Sequence, residues 1–363
     1  MNRRIYADYA AAAPLCGRAK QTITALFELY GNPSAGHREG FQARELVERA
    51  RGQIAAAINA APEEIFFTSG GSESNALALQ VGWGIQASPI EHASILNNTH
   101  TKTGIIQVDR KGTIQPFTAA YASIMLVNKE VGTRKKVGAM AAGGQEQEGV
   151  LRFLHVDAVQ AVGHIPVDVK ALGADMLSMS GHKFGAPKGV GALYVNRKRV
   201  NTKFLQSLIP GGNQESGLRA GTENVMGIAA MGAAIEWAAE NMEVHAAHIK
   251  PLRDKLIDGI AAIRGAELTG HPFHRAPGIA SFVIKGVEGQ ALAAALDEDG
   301  IAVSAGSACH SGSLQPSHVL LAMGYEPELA LGALRVSIGW ETSEDDVNAI
   351  IRSVRQRVGE LRQ

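Results

Sequence analysis

Short apolar runs alternate with amphipathic segments along the first part of the chain, and this pattern predicts strands that alternate with helices. Residues 45–58 place their aliphatic side chains on one helical face, whereas residues 65–68 open with three bulky apolar side chains, as in a buried strand. Such an alternation favours a mainly parallel sheet. Its strands are predicted at residues 65–68, 123–127, 151–156, 176–179 and 191–195.

A helical region separates this part of the chain from the rest. Two helices are predicted at residues 225–241 and 245–263, and the domain boundary is placed in this region. Residues 12–245 are predicted to form a large domain, and residues 1–11 together with 246–363 a smaller α+β domain. The elements predicted for the smaller domain are strands at 279–284 and 334–338 and helices at 290–296 and from 344 onward.

Composition and charge exclude several classes of function. Of the 363 residues, 45% are hydrophobic and 19% charged, which is ordinary for a globular protein. Lys+Arg and Asp+Glu are 35 each, so no bulk charge favours nucleic acid or an anionic membrane as a partner. Two cysteines, Cys16 and Cys309, are too few for a disulfide framework and indicate a reducing compartment. Because no secretory leader or bilayer-spanning apolar segment is found, the sequence predicts a soluble, cytoplasmic protein.

An aspartate and a lysine end two neighbouring predicted strands. Asp157 ends the apolar run 150–156, and Lys183, 26 residues later, follows the run 175–180. Pyridoxal phosphate (PLP) enzymes need such a pair, because the lysine attaches the cofactor covalently and the aspartate pairs with its pyridinium nitrogen. Aspartate and lysine are common at strand ends, so this pair gains weight only from the residues around it.

A glycine-rich turn between a predicted strand and a predicted helix is a candidate anion site. In residues 69–75, free backbone N–H groups and the helix dipole favour an anion, and Gly70 and Gly71 allow a close backbone approach. Ser72 is predicted to be both the N-cap and a phosphate ligand. The alternative is a plain capped turn, since serine is common at N-caps.

Polar residues that follow the predicted strands are candidate ligands. His92 is a candidate to stack on a pyridine ring and His182 to bind phosphate, whereas Gln160 and Asn128 are candidates to reach the ring oxygen or the substrate. A lone histidine in a loop is more often structural or solvated, so these assignments depend on the motifs around them. Residues 134–136, Arg-Lys-Lys, are predicted to be a solvated turn.

Cys309 lies among small and polar residues at 304–313, a composition typical of an exposed loop. An exposed thiolate is reactive and a buried thiol is inert, so this environment suits a nucleophile that must move. The alternative is an incidental thiol. Cys16, between Leu15 and Gly17, is predicted to be structural.

Taken in order, the motifs resemble those of the class V, fold-type I PLP enzymes, and within them the NifS/IscS-like cysteine desulfurases. Gly-Ser-Ala-Cys at 306–309 followed by Pro-Ser-His-Val at 316–319 is similar to the long-loop desulfurases, and class V aminotransferases lack this cysteine. The resemblance implies an α/β fold with a mainly parallel seven-stranded sheet in the large domain. The matching segments are 5–10, 31–34, 67–70, 73–75, 91–92, 155–160, 180–183, 187–191, 219–224, 306–309, 316–320 and 334–337.

The resemblance implies a PLP ligand set. Lys183 would hold the cofactor covalently, Asp157 would bind its pyridinium N–H, and Gln160 its 3′ oxygen. His92 would stack on the ring and serve as an acid–base, and Thr222 would reach the phosphate in the partner subunit of a homodimer. No metal is implied. The remaining cofactor ligands would be Gly71, Ser72, Asn128, Ser180 and His182.

The resemblance also implies the reaction. Arg335, with Asn128 nearby, would bind the carboxylate of L-cysteine, a planar group suited to a guanidinium. The Cys309 thiolate would attack the sulfur of the bound substrate, leaving a persulfide for a sulfur-acceptor protein and releasing alanine. The acceptor is not indicated: it would belong to iron–sulfur cluster assembly or to tRNA or DNA thiolation.

The chain departs from the family pattern at four motifs, and its segments near residues 85–90 and 108–123 look shorter than in relatives. Three functions stay open. The leading one is a cysteine desulfurase; the second is a selenocysteine lyase or an aminotransferase-like PLP enzyme; the third is a weakly active sulfur-relay scaffold. Intact Asp157, Lys183 and Cys309 argue against the third. The departures are alanines in place of paired threonines at 10–13, Lys129 in the usual Asn-Asn-Glu, His310 after the cysteine, and Trp340 where arginine is frequent.

Overall fold

The computed structural model describes residues 4–81, 84–99, 105–117, 119–138, 153–306 and 315–363. Helices and strands alternate through its first part and mix in its last. The strands of the described part are β1 (Ile5–Tyr6), β2 (Ile65–Thr68), β3 (Gln86–Ala87), β4 (Tyr121–Met125), β5 (Phe153–Asp157), β6 (Met176–Ser180), β7 (Gly191–Val195), β8 (Ala266–Leu268), β9 (Ile279–Ile284), β10 (Ile301–Ala302) and β11 (Ala333–Ser337). Its α-helices are Gly17–Ala25, Arg38–Ala57, Gly71–Ala78, Ala93–Leu96, Val169–Leu172, Val225–Glu240, Met242–Ala261, Gly289–Glu298, His318–Ala322, Pro327–Ala330 and Glu344–Glu360.

The central sheet has the strand order β2-β7-β6-β5-β4-β3. Strand β7 is antiparallel to both of its neighbours and the other pairs are parallel, so the predicted mainly parallel sheet is confirmed. The inner strands are buried along their whole length, which explains their continuous apolar runs. The resemblance implied seven strands in this sheet. Within the described residues the sheet has six, and beyond β3 a single parallel bridge joins Ala87 to Ile105.

Two long helices cover one face of this sheet. The helix predicted at 45–58 begins earlier, at Arg38, because the His37 side chain caps it by accepting from the Gly40 N–H. Its buried side chains include Val47 and Ile54, and they share one hydrophobic core with the helix Val225–Glu240 and with the sheet. The first turns of this helix, before residue 45, are mostly polar, so no hydrophobic periodicity marks them in the sequence.

The C-terminal part has its own sheet and core. Strands β8, β9 and β11 form an antiparallel sheet, and the helices Met242–Ala261, Gly289–Glu298 and Glu344–Glu360 contribute to the same core. Strand β1 pairs with β10, which ties the N-terminus to this part. The division into domains at residues 11/12 and 245/246 stays a prediction. No helix in the described ranges is long and apolar enough to cross a membrane.

Two glycines on the paired long helices are predicted to respond oppositely to alanine. A Cβ at Gly232 would lie 2.7 Å from the Cα of Ala50, so Gly232→Ala overpacks the helix contact and should cost about 1–3 kcal/mol. Gly52 has open space around it, so Gly52→Ala should stabilise by up to about 1 kcal/mol through lower chain entropy. Urea unfolding of both variants measures the two free energies; effects of the same sign would contradict this packing.

Candidate active site

A cavity of about 230 Å³ opens where β4, β5 and β6 end. The carboxyl ends of neighbouring parallel strands meet at one edge of a sheet, and ligands of α/β proteins bind there. Side chains that follow these strands line the cavity together with the start of the helix Gly71–Ala78 and Arg335 from β11. Nine of the twelve predicted site residues line it: Gly71, Ser72, His92, Asp157, Gln160, Ser180, His182, Lys183 and Arg335.

Asp157 is the last residue of β5, and the residue is only 3% exposed. One oxygen accepts from the Val159 N–H at 3.0 Å, and the other accepts from Asn75 Nδ2 at 3.0 Å. Two residues earlier in β5, His155 is fixed between the hydroxyls of Ser123 and Ser178, at 2.8 and 2.9 Å. The N–H groups of Val159 and Asn75 thus hold the carboxylate at the floor of the cavity.

Lys183 ends a short 3₁₀ helix directly after β6. Its Nζ donates to the backbone carbonyls of Ala10 and Ala11, both at 2.7 Å. Burial, helped by the positive charge of Arg335, lowers the pKa of the Lys183 amine to about 8. An amine with such a pKa has a substantial neutral fraction near pH 8, and the neutral form is the nucleophile.

The start of the helix Gly71–Ala78 faces the cavity. Its N-cap is Gly70 rather than the predicted Ser72, because the helix begins two residues earlier than that cap implies and the Ser74 N–H is bonded to the Gly70 carbonyl. The N–H groups at this helix start have no intrahelical acceptors. Gly71 is required by space, since a Cβ there would lie 2.7 Å from Val159 Cγ2.

Opposite this helix start, Ser180 Oγ lies 3.0 Å from His182 Nδ1. Burial, together with the charge of Lys183, lowers the pKa of His182 to about 4, so this ring is neutral at pH 7. The hydroxyl, the imidazole and the free backbone N–H groups form a set of donors without a bulk positive charge. Such a set suits an anion.

His92 is the N-cap of the helix Ala93–Leu96, and its Nδ1 lies 2.7 Å from Ser94 Oγ. Burial and then the charge of Lys129 lower the pKa of His92 to about 4. The Asn75 amide donates to Ser94 Oγ at 2.9 Å as well as to Asp157, so one side chain connects Asp157 with the turn of His92. Because Nδ1 is used within the turn, Nε2 is left for the cavity.

Arg335 crosses from the C-terminal sheet to the rim of the cavity. It donates to Asp8 Oδ1 at 2.8 Å and to Ser304 Oγ at 2.9 Å through one nitrogen, and to the Lys129 carbonyl at 2.9 Å through another. The third nitrogen, Nε, is buried without a partner. Three of the five N–H groups of the guanidinium are thus used to orient it, and two are left.

Two predicted residues in the described part of the chain, Asn128 and Thr222, are not in the cavity wall. The Asn128 amide is used within its own turn: its oxygen accepts from the N–H groups of Glu130 and Val131, and its nitrogen donates to the Ile90 carbonyl. Thr222 is exposed on the surface. Cys309 lies outside the described residues, whereas Cys16 is buried and caps its helix by accepting from the Ala19 N–H.

Sequence reasoning missed two residues that organise the site, Asn75 and Asp8. Asn75 lies one helical turn after Gly71, so its place on the cavity face followed from the helix period once the turn was assigned. Asp8 had no comparable signal, because its contact with Arg335 joins residues far apart in sequence.

Comparisons with known proteins agree along the whole chain. The family model for class-V aminotransferases matches residues 5–350. The chain is 40% identical over 386 aligned residues to the cysteine desulfurase IscS of Dictyoglomus turgidum, covering 100% of this chain and 96% of the relative. A solved NifS-like protein superposes with a TM-score of 0.89 at 31% identity, covering 99% and 100% of the two chains. SspA, solved in complex with cysteine, superposes with a TM-score of 0.76 at 29% identity, covering 92% and 98%.

The lowered pKa of Lys183 predicts selective labelling. In cofactor-free protein the neutral amine, which is the reactive form, should reach half of its population near pH 8, whereas ordinary exposed lysines do so near about pH 10.4. Acetylation between pH 6 and 10, followed by peptide mass spectrometry, measures the midpoint, with exposed Lys188 as the comparison. Arg335→Gln should raise the midpoint, because it removes a nearby cation. Equal midpoints for Lys183 and Lys188 would contradict this environment.

Proposed function

The chain belongs to the class-V aminotransferase family and, within it, to the IscS-like cysteine desulfurases, and we propose that it uses PLP to remove sulfur from L-cysteine. One observation carries the proposal: a single cavity brings together the buried Asp157 carboxylate, the Lys183 amine with its lowered pKa and the Arg335 guanidinium. This combination of groups suits an amino acid bound through a carbonyl cofactor.

The residues present fit PLP. Asp157 would pair with the pyridine nitrogen and Lys183 would carry the cofactor. The Gln160 amide nitrogen donates one N–H to the Ala10 carbonyl at 2.7 Å, and its second N–H would donate to the 3′ oxygen. The unused N–H groups at Gly71 and Ser72, with Ser180 and His182 opposite, suit the phosphate.

When bound, PLP supplies an electron sink that weakens the bonds at the substrate Cα. The residues of this chain supply the rest. Arg335, whose side chain lines the cavity, would orient the L-cysteine carboxylate through its guanidinium. His92 would exchange a proton with the substrate through Nε2, and its lowered pKa keeps the ring neutral at pH 7.

Cys309 would take the sulfur. Its thiolate attacks the substrate sulfur, the C–S bond breaks as an S–S bond forms, and the substrate carbon gains a proton to become alanine. The chain on both sides of residues 307–314 contacts the cavity wall: Ser304 accepts from Arg335 and Ser317 donates to Glu130, which supports this assignment. A thiol reductant then releases the outer sulfur as sulfide.

The proposal includes a homodimer, a sulfur-acceptor protein and a cellular location. Thr222 is exposed, as a residue that reaches the phosphate of a partner subunit in a homodimer would be. A sulfur-acceptor protein would receive the persulfide, in iron–sulfur cluster assembly or in tRNA or DNA thiolation. The proposed location is the cytoplasm, where thiols stay reduced.

Turnover of L-cysteine should depend on Cys309 and not on Cys16. With PLP and dithiothreitol, wild-type protein should release alanine and sulfide in equal amounts. Cys309→Ser should lower both by at least about 10³-fold, the scale of losing a nucleophile, yet keep the spectral change on substrate addition. Cys16→Ser is the matched control, since serine keeps the N-cap contact to Ala19.

Other outcomes separate the alternative functions. Full activity in Cys309→Ser, or a persulfide on Cys16, would exclude this mechanism. Alanine formed from L-selenocysteine but not from L-cysteine would indicate a selenocysteine lyase, and a keto acid product would indicate an aminotransferase. A protein that takes up no PLP would fit a scaffold.

Asp157→Asn tests the electron sink separately. An amide keeps the hydrogen bond from Asn75 but removes the negative charge that stabilises a protonated pyridine nitrogen. PLP should still bind, whereas exchange of the substrate Cα proton for deuterium should slow by about 10²–10³-fold, the scale of one lost electrostatic contact. Near wild-type exchange would contradict the role given to Asp157.

A further inference from the structure

Lys135 and Glu91 form an ion pair that has no exposed surface. Lys135 Nζ lies 3.1 Å from Glu91 Oε1, and both side chains are 0% exposed. Ser88 Oγ donates to the same carboxylate oxygen at 2.5 Å, and Glu91 Oε2 has no partner. The solvated turn predicted for residues 134–136 is therefore wrong at Lys135, although Arg134 and Lys136 on either side are exposed.

The pair belongs to a hairpin that is hydrogen-bonded to the turn of His92. Residues Val127 and Arg134 form a bridge, so Asn128 and Lys135 lie at the base of one hairpin. Asn128 Nδ2 donates to the Ile90 carbonyl at 3.1 Å, and Lys135 bonds the side chain of the next residue, Glu91. The hairpin thus holds two consecutive residues directly before His92.

The same hairpin contacts the substrate side of the cavity. The Lys129 carbonyl accepts from Arg335, and Glu130 accepts from Ser317. One short segment makes both these contacts and the hydrogen bonds to residues 90 and 91. A shift of the hairpin would therefore move the His92 turn relative to the Arg335 guanidinium.

We propose that Lys135 is a positioning residue, which holds His92 at its place in the cavity by neutralising and fixing Glu91. The proposal rests on the proposed function for its effect on turnover. Within the described ranges, Lys135 is the charged group that hydrogen-bonds Glu91. A buried carboxylate without a partner takes up a proton or moves toward water, and either change releases the turn. Burial raises the pKa of Glu91, and the charge of Lys135 opposes this shift.

Lys135→Met tests the proposal in the PLP-loaded enzyme, with Lys136→Met as the matched control on the exposed neighbouring position. Lys135→Met should lower kcat for L-cysteine by at least about tenfold, because a misplaced acid–base group slows the chemistry. KM should stay within about threefold, since Arg335 keeps its contacts. Lys136→Met should change neither quantity, and equal losses in both variants would overturn the proposal.

A cycle with His92→Gln asks whether Lys135 acts through His92. In the His92→Gln background, Lys135→Met should cost less than about twofold, because the group that it positions is already gone. A loss of the same size in both backgrounds would show that Lys135 acts elsewhere and would overturn the proposal.

Histidine NMR of the cofactor-free protein gives a readout that does not depend on turnover. Lys135→Met should shift or broaden the ring resonances of His92, assigned with His92→Gln, and leave those of His155 unchanged, because two serines fix that ring. Unchanged His92 resonances would overturn the proposal even if activity fell. Should Lys135→Met not fold, Glu91→Leu/Lys135→Met removes both buried charges and must show the same displacement. Wild-type protein without PLP binding or L-cysteine turnover would overturn the proposed function, and these spectra would still decide the role of Lys135.

Discussion

Burial of opposite charges at one edge of the central sheet is the constraint on which the rest of the site depends. Asp157 ends one strand and Lys183 follows the parallel strand beside it, so the topology brings them together. Asp157 is buried there and Lys183 is half-buried. Buried charges are expensive unless hydrogen bonds satisfy them. Two N–H groups donate to the Asp157 carboxylate, and two carbonyls accept from the Lys183 amine. These hydrogen bonds fix the segments around the cavity to one another.

The two parts of the chain share this task. Arg335 comes from the C-terminal sheet, yet its partners are Asp8 near the N-terminus and the Lys129 carbonyl of the hairpin after β4. Its charge also contributes to the lowered pKa of Lys183. Arg335, which would bind the substrate, therefore helps to set the pKa of Lys183, which would hold the cofactor. A substitution at either residue is expected to affect the other.

Most of the fold and the positions of Asp157 and Lys183 follow from local sequence patterns. Strand ends in a parallel sheet share an edge, so these two residues were expected to lie together, whereas Ser180 and Arg335 were expected only because of the family resemblance. Contacts set by tertiary packing were not accessible. Lys135 is in a basic run that is typical of solvent exposure, and only the buried Glu91 opposite explains its position. The amide of Asn128 was assigned to ligands because its competing backbone partners are made by the folded turn.

Backbone groups explain how the site tolerates an unusual stretch of sequence. Residues 10–13 are all alanine where paired threonines are usual, so no side chain there can hydrogen-bond. The contacts that matter use main-chain atoms: the Ala10 carbonyl accepts from Gln160 and Lys183, and the Ala10 N–H donates to Ser337 Oγ. Main-chain acceptors do not change when the side chain is replaced, provided that the path of the chain is kept. That path is fixed from outside, by the pairing of β1 with β10 and by the bond from the Ala13 N–H to the His182 carbonyl, so the substitutions leave the ligands of Lys183 and Gln160 in place.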